Sequence, residues 1–217
     1  MPIKVIMADD HPIVIKGLRS LLESKTRDII ITGEAANGKQ LLALAHRSPA
    51  DVYVIDISMP LLNGIDTTVR LLRNDKKARV IILSMHGDRA TMEKALKAGA
   101  RGYLVKESAH DDIVKAIYEV NSGRCFVSPA VTGFVIDNML GKTCNKFKTG
   151  GYDRLTSKER EIVQLIAEGM GNKEIAAELK VSVNTVHAHR NNVARKLDIH
   201  KQTQLVHYAI RENIVKK

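Results

Sequence analysis

Short apolar runs rich in β-branched residues alternate with amphipathic stretches through the first 125 residues of the chain. The runs cover residues 3–8, 29–31, 52–55, 80–83 and 103–105. Several are continuously apolar, as strands buried on both faces of a parallel sheet must be. Between them, residues 12–23 put Val14, Leu18, Leu21 and Leu22 on one helical face, and Pro12 suits the first turn. Residues 38–47, 64–74, 89–98 and 109–121 read as further helices, the last with Ser108 positioned as its N-cap. Five strands alternating with five helices predict a doubly wound α/β domain over residues 1–125.

The pattern weakens over residues 126–151. Ser128-Pro129 could open a short helix through Leu140, and residues 141–151, rich in glycine and lysine, read as a flexible, basic linker. From Leu155 onward the period is helical and no strand is predicted. Thr156 stands three residues before Glu159, the spacing of a capping box, with Ile162, Leu165 and Ile166 on the core face. Gly169-Met170-Gly171 closes that helix. Residues 172–179 form a short second helix with Ile175, Ala176 and Leu179 inward, Lys180-Val181 turns the chain, and Ser182 caps a third helix over residues 183–197. A fourth follows over residues 201–213, giving an all-α four-helix domain over residues 152–217.

Composition narrows the class. At 217 residues, 44% hydrophobic and 27% charged, the chain has room for two modest cores. No apolar run approaches the roughly 18–20 residues that cross a bilayer. The opening MPIKVIMADDHP holds acids where a signal peptide keeps its apolar segment, which points to a cytoplasmic protein without a membrane partner. Cys125 and Cys144 lack metal-ligand spacing and are expected as free thiols. The formal net charge of +10 suggests a polyanionic partner. Residues 1–125 carry 19 basic against 15 acidic side chains, and residues 152–217 carry 12 against 8 in about half the length.

Polar residues mark the carboxyl ends of four predicted strands, where a doubly wound sheet holds its ligand. Asp9 and Asp10 follow the first, Asp56 the third, Ser84 the fourth and Lys106 the fifth. Three carboxylates brought together repel, which invites a hard divalent cation, most plausibly Mg2+. Asp56 can then act as a nucleophile that forms an aspartyl phosphate, with the cation, Lys106 and Ser84 stabilising the transferred oxygens. His11 reads as a helix-start histidine satisfied by local hydrogen bonds.

Residues 183–197 carry a second function. Val186, Val193 and Leu197 form an inward stripe, and Asn184, Ala188, Asn191 and Arg195 lie opposite, with His187 at the edge. No acid occurs between Ser182 and Leu197. Amides that read adenine, arginine that reads guanine and a small alanine suit a helix that enters the major groove of double-stranded DNA.

Residues 3–124 resemble the receiver domain of two-component response regulators. The resemblance rests on Asp9-Asp10-His11-Pro12, on Asp56 followed by Met59-Pro60 and Gly64, and on Ser84, Gly99-Ala100 and Tyr103 to Lys106. It implies a flavodoxin-like fold, Asp56 as phospho-acceptor and a sensor histidine kinase as donor. It further implies Mg2+ bound by Asp10, Asp56 and the Ser58 carbonyl with Asp9 assisting, and Ser84 with Tyr103 as a switch pair. Ser58 and His86 would tune the lifetime of the phosphate. Glu107 replaces the proline that often follows the lysine in that family, which predicts a differently shaped turn after the fifth strand.

Residues 152–215 resemble the LuxR-type helix-turn-helix domain of NarL/FixJ-family regulators. The matching words are Leu155-Thr156, Glu159-Arg160-Glu161, Ala167-Glu168-Gly169, Asn172-Lys173-Glu174-Ile175-Ala176, Thr185-Val186 and Lys196-Leu197. The resemblance implies that His187, Ala188 and Asn191 face bases, and that Lys173, Thr185, Arg190 and Lys196 hold phosphates. His187 departs from the lysine common at that place. The last helix would form a homodimer contact through Leu205, Tyr208 and Ala209.

Two other classes compete with a phosphorylation-switched transcription factor. A phosphoryl-transfer enzyme on the same fold lacks its usual marks, for no glycine-rich phosphate loop follows the first strand and Ser58 stands where a second acid would be needed. A constitutive DNA-binding regulator with an inert receiver leaves the complete acidic site without a purpose.

Overall fold

In the computed structural model each of the five apolar runs forms a strand, and strands and helices alternate through the amino-terminal part. The order is β1 (Ile3–Ala8), α1 (Pro12–Lys25), β2 (Ile29–Ala35), α2 (Gly38–Arg47), β3 (Val52–Asp56), α3 (Gly64–Asn74), β4 (Val80–Ser84), α4 (Arg89–Lys97), β5 (Gly102–Val105) and α5 (Ala109–Asn121). A sixth strand, β6 (Phe126–Val127), follows. The structure describes residues 1–85, 87–129, 131–132 and 154–215. The described residues divide into two compact units, one within residues 1–144 and the other within 145–217.

The sheet is parallel throughout, in the order β2-β1-β3-β4-β5-β6. Chain order reverses between β1 and β3, and that switch point opens a crevice at the carboxyl ends of the strands. Every residue of β3, β4 and β5 is buried, which accounts for their unbroken apolar sequence. Val5, Met7, Val54, Ile81 and Leu83 pack on one face with Leu18 and Leu22 of α1 and Ile113 and Ile117 of α5. Ile6 points the other way, toward Gly33 of β2 and Leu44 of α2.

Short polar side chains cap several helix starts. Asn37, Asn63 and Asp88 each accept a hydrogen bond from a backbone N–H in the first turn of α2, α3 and α4. Ser108 does not cap α5; its hydroxyl donates to the Val105 carbonyl at 3.2 Å and lies 3.3 Å from the Ser128 hydroxyl. A 3-10 turn, Lys106–Ser108, occupies the position where Glu107 stands in place of proline. On α1 the fully buried residues are Ile15, Leu18 and Leu22, with Val14 and Leu21 only partly covered.

β6 corrects the sequence reading, which assigned residue 126 onward to a connector. Phe126 pairs with Gly102 and Val127 with Tyr103, so the sheet continues past residue 125. Two residues are too few to show a strand period. Beyond it, Ser128 is buried, and its carbonyl accepts from the Val131 N–H at 3.0 Å and the Thr132 hydroxyl at 3.1 Å. The expected helix thus begins at Pro129, while residues 133–140 and Cys144 lie outside the described residues.

The second unit is helical: α6 (Ser157–Ala167), α7 (Asn172–Leu179), α8 (Val183–Leu197) and α9 (Gln202–Arg211). The capping box forms as predicted. Thr156 accepts from the Glu159 N–H, and the Glu159 carboxylate accepts from the Thr156 N–H at 2.8 Å. Lys180 turns from α7 to α8 with φ 53°, and Ser182 caps α8 by accepting from Thr185. Ile162, Leu165, Ile175, Val186, Val193 and Tyr208 are buried, whereas Leu179 and Leu197 are half-buried.

Gly64 fixes the loop that carries the acidic site. A Cβ on it would stand 2.2 Å from the Asp56 carbonyl oxygen, a backbone atom that cannot move without the strand. Gly64→Ala is expected to destabilise the chain by about 3 kcal/mol, the upper end of overpacking costs. Urea unfolding followed by circular dichroism measures it, and an unchanged midpoint would contradict the packing.

Candidate functional site

The switch point gathers the acidic residues. Asp9 and Asp10 leave the end of β1, and Asp56 is the last residue of β3. Asp9 and Asp56 are buried and Asp10 is partly so. Lys106, just past β5, reaches across to both: its ammonium lies 2.6 Å from Asp9 Oδ2 and 3.1 Å from Asp56 Oδ1. Burial pulls the Lys106 pKa down, but the Asp56 charge and the hydrogen bond and charge of Asp9 outweigh it and raise it above the ordinary value. The side chain is therefore a fixed cation at neutral pH.

Three carboxylates face this single ammonium, so the pocket retains negative charge. Ligand atoms of Asp9, Asp10, His11 and Asp56 all lie within 4.8 Å of one another. The donors are mostly hard carboxylate oxygens in the spacing a small divalent cation uses, so the residues fit Mg2+. His11 is half exposed. Its backbone N–H donates to Asp9 Oδ1 at 2.9 Å, and its Nδ1 lies 2.9 Å from Asp10 Oδ1 and 3.1 Å from Asp9 Oδ1. The ring thus sits against the acidic pair that immediately precedes it, in the local hydrogen bonding expected of a helix-start histidine. Ser58 is half-buried in the loop after β3.

Ser84 ends β4 and is buried beside Tyr103 of β5, with which it hydrogen-bonds. Burial pushes the Tyr103 hydroxyl up to about 12, against the Ser84 hydrogen bond, with the Asp88 charge adding to the rise. The aromatic side chain is fully enclosed. His86 lies outside the described residues.

In the helical unit, α8 presents the predicted face. Asn184, His187, Ala188, Asn191 and Arg195 are exposed, and Val186 and Val193 face the core. Lys173 is exposed on α7, and Thr185 and Arg190 are half-buried. Three basic residues of α8 have partners inside the unit, Arg195 donating from Nη2 to Asn192 Oδ1 at 3.2 Å. Arg190 Nη1 donates to Asn172 Oδ1 at 2.5 Å, and Lys196 lies 2.7 Å from the buried Glu159. Burial raises the Glu159 pKa, but Lys196 and the Thr156 N–H and hydroxyl more than offset it, so the carboxyl titrates below its usual range. Lys196 thereby ties the end of α8 to the capping box of α6. Helical period alone did not reveal Glu159 and Asn172 as partners of α8, because each belongs to another helix. Leu205, Tyr208 and Ala209, expected at a dimer contact, are buried within this unit instead, where they pack α9 into the core.

Residues 5–118 match the family model of the response regulator receiver domain, and residues 153–209 match that of bacterial regulatory proteins, luxR family. The chain is 37% identical to the transcriptional regulatory protein MctR of Rhizobium johnstonii over 216 residues, covering 99% of this chain and 96% of MctR. It is 30% identical to the nitrate/nitrite response regulator NarL of Escherichia coli, covering 98% and 97%. Among solved structures it resembles RcsB from Salmonella enterica serovar Typhimurium, bound to promoter P1flhDC in the presence of the phosphomimetic BeF3-. The TM-score is 0.62 at 28% identity, over 96% of this chain and 98% of RcsB. No helix among the described residues is long and apolar enough to cross a membrane.

The depressed Glu159 pKa fixes a pH dependence. A carboxylate held below its unfolded value contributes stability above that value, about 4.3, and loses it as pH falls through the folded pKa. Lys196→Met is expected to cost about 2 kcal/mol at pH 7, between an exposed pair and a fully buried one. Urea unfolding of both chains at pH 7 and in the acid range below 4 should show that difference shrinking as Glu159 protonates (~4 being the ordinary carboxylate value). A gap independent of pH would mean that the pair does not operate.

Proposed function

The chain belongs to the response regulators that join a receiver domain to a LuxR-type DNA-binding domain, and from that membership we propose that phosphorylation of Asp56 by a sensor histidine kinase switches its action on DNA. The observation that carries this reading is Lys106 lying within 3.1 Å of Asp56 and 2.6 Å of Asp9 at the switch point of the sheet. We place the receiver at residues 1–125 with β6 appended, the connector through residue 151 and the DNA-binding domain at 152–217. The protein would work in the cytoplasm, as a homodimer on paired half-sites.

In the phosphoryl transfer, an Asp56 oxygen attacks the phosphorus of the kinase's phosphohistidine. The O–P bond forms as the P–N bond breaks, and the imidazole leaves with the electron pair. Lys106 and the Ser84 hydroxyl stabilise charge on the transferred oxygens. Asp10, Asp56 and the Ser58 carbonyl, with Asp9 assisting, would hold Mg2+, which when bound supplies further neutralisation of those oxygens. Water later cleaves the acyl phosphate, returning the Asp56 carboxylate and inorganic phosphate, so the site turns over only its own phosphoryl group. Ser84 and Tyr103 respond as the switch pair: the hydroxyl turns toward the phosphoryl group and the packing of the aromatic changes with it.

On DNA, His187, Ala188 and Asn191 would face base edges, while Lys173, Thr185, Arg190 and Lys196 would serve phosphates. Since Arg190 and Lys196 have partners within the unit, their phosphate contacts would require exchange or sharing of those bonds.

Asp56→Asn should abolish labelling by acetyl phosphate with Mg2+ and weaken occupancy of target promoters. Undiminished occupancy by a variant that cannot be labelled would overturn the switch. For the DNA reading, binding of the purified chain to promoter fragments should weaken with salt, each neutralised phosphate adding about −0.9 to the log–log slope. A slope near zero would remove it.

A further inference from the structure

Asn172, the first residue of α7, stands between two side chains of α8. Arg190 Nη1 lies 2.5 Å from its Oδ1, and His187 Nε2 lies 3.3 Å from its Nδ2. His187 and Arg190 are three residues apart and share the side of α8 that meets this amide. The orientation of an asparagine amide is assigned from its network, and here the network admits one answer. A guanidinium only donates, so the amide atom facing Arg190 must be the carbonyl oxygen. The amide nitrogen, which also only donates, is left for His187. Nε2 must then be the lone-pair nitrogen of the ring, and the proton of the neutral imidazole sits on Nδ1. Nδ1 makes no hydrogen bond among the described residues.

We infer that Asn172 is a positioning residue for sequence recognition: it sets the tautomer of His187, so that the exposed ring offers one directed donor, Nδ1–H, to the DNA. The inference rests on the reading of α8 as the helix that faces bases. A fixed donor suits the acceptor edges of the major groove, purine N7, guanine O6 and thymine O4, and is mismatched with the amines of cytosine and adenine. A lysine at the same place would also donate, but from a mobile, charged tip. The device thus exchanges long-range attraction for a hydrogen bond whose direction is set by a neighbouring helix.

The test begins without DNA. In the full-length chain with 15N-labelled histidines, long-range 1H–15N correlation spectra distinguish protonated from lone-pair ring nitrogens, and His187→Gln assigns the signals. Wild type should show His187 protonated on Nδ1. Asn172→Ala should release the ring to the mixture found in water, and Asn172→Asp should draw the proton to Nε2, toward the new carboxylate. An aspartate at a helix start is compatible with the fold. A His187 pattern identical in wild type and Asn172→Ala would overturn the inference.

Selection from a random duplex pool then reads the consequence. In Asn172→Asp, at a pH where the His187 ring is neutral, the outward nitrogen becomes an acceptor, so at one base position per half-site the preference should invert from acceptor to donor edges by about tenfold. A tautomer change with an unaltered base preference would overturn the recognition role. If wild type selects no sequence at all, the DNA reading of α8 fails, and the recognition role falls with it even if the spectra show the expected tautomer.

Discussion

The Lys106 ammonium, held 2.6 Å from Asp9 and 3.1 Å from Asp56, is the contact on which the amino-terminal unit is built. Each of the three groups is enclosed, and a lone charge so placed would be costly. They come from the ends of β1, β3 and β5, so the cluster exists only when those strands lie in one sheet in the right order. Register is part of the requirement, because a slip of one residue would turn Asp56 to the other face. Gly64 belongs to the same constraint: only a residue without a side chain lets α3 start against the Asp56 carbonyl. The pocket is still not neutral, with three carboxylates facing one ammonium. A site balanced that way holds its carboxylates together while keeping the negative charge that fits a hard divalent cation.

The parts legible in the sequence were those set by local pattern. Continuous apolar runs identified the buried strands, and the polar residues at their ends marked the site because a parallel sheet brings those ends together. The capping box at Thr156 and Glu159 was readable for the same reason, as both partners lie within one turn. The features that were missed depend on contacts between distant segments. β6 is two residues long and is defined by pairing with β5 rather than by any period of its own. Ser108 has the chemistry of a cap, but its hydroxyl is engaged by Val105 and Ser128. Leu205, Tyr208 and Ala209 were assigned to a dimer contact by family resemblance, and the core of their own unit claims them.

Lys196 illustrates how one residue type divides between stability and recognition. The family resemblance implies a phosphate contact for it, at the basic end of α8. Its ammonium instead meets Glu159, the acid that completes the cap of α6, and so joins two helices of the unit. Arg190 is similarly engaged, by Asn172. A basic side chain that is already bonded brings less mobile charge to a polyanion, but it brings its geometry fixed.

That division changes what the exposed face of α8 can do. With Arg190 and Lys196 tied back, its outward groups are Asn184, His187, Ala188, Asn191 and Arg195, four of them without formal charge when the imidazole is neutral. Affinity for DNA comes mainly from phosphate contacts, whereas discrimination comes from base edges. A face with one cation among mostly neutral groups is weak in the first and suited to the second, provided that the directions of its polar groups are held. Asn184 and Asn191 offer both a donor and an acceptor, so alone they would leave the reading ambiguous. His187 does not, once the Asn172 amide has fixed which ring nitrogen carries the proton. The most distinctive side chain of the helix therefore owes its chemical character to a residue on the preceding one.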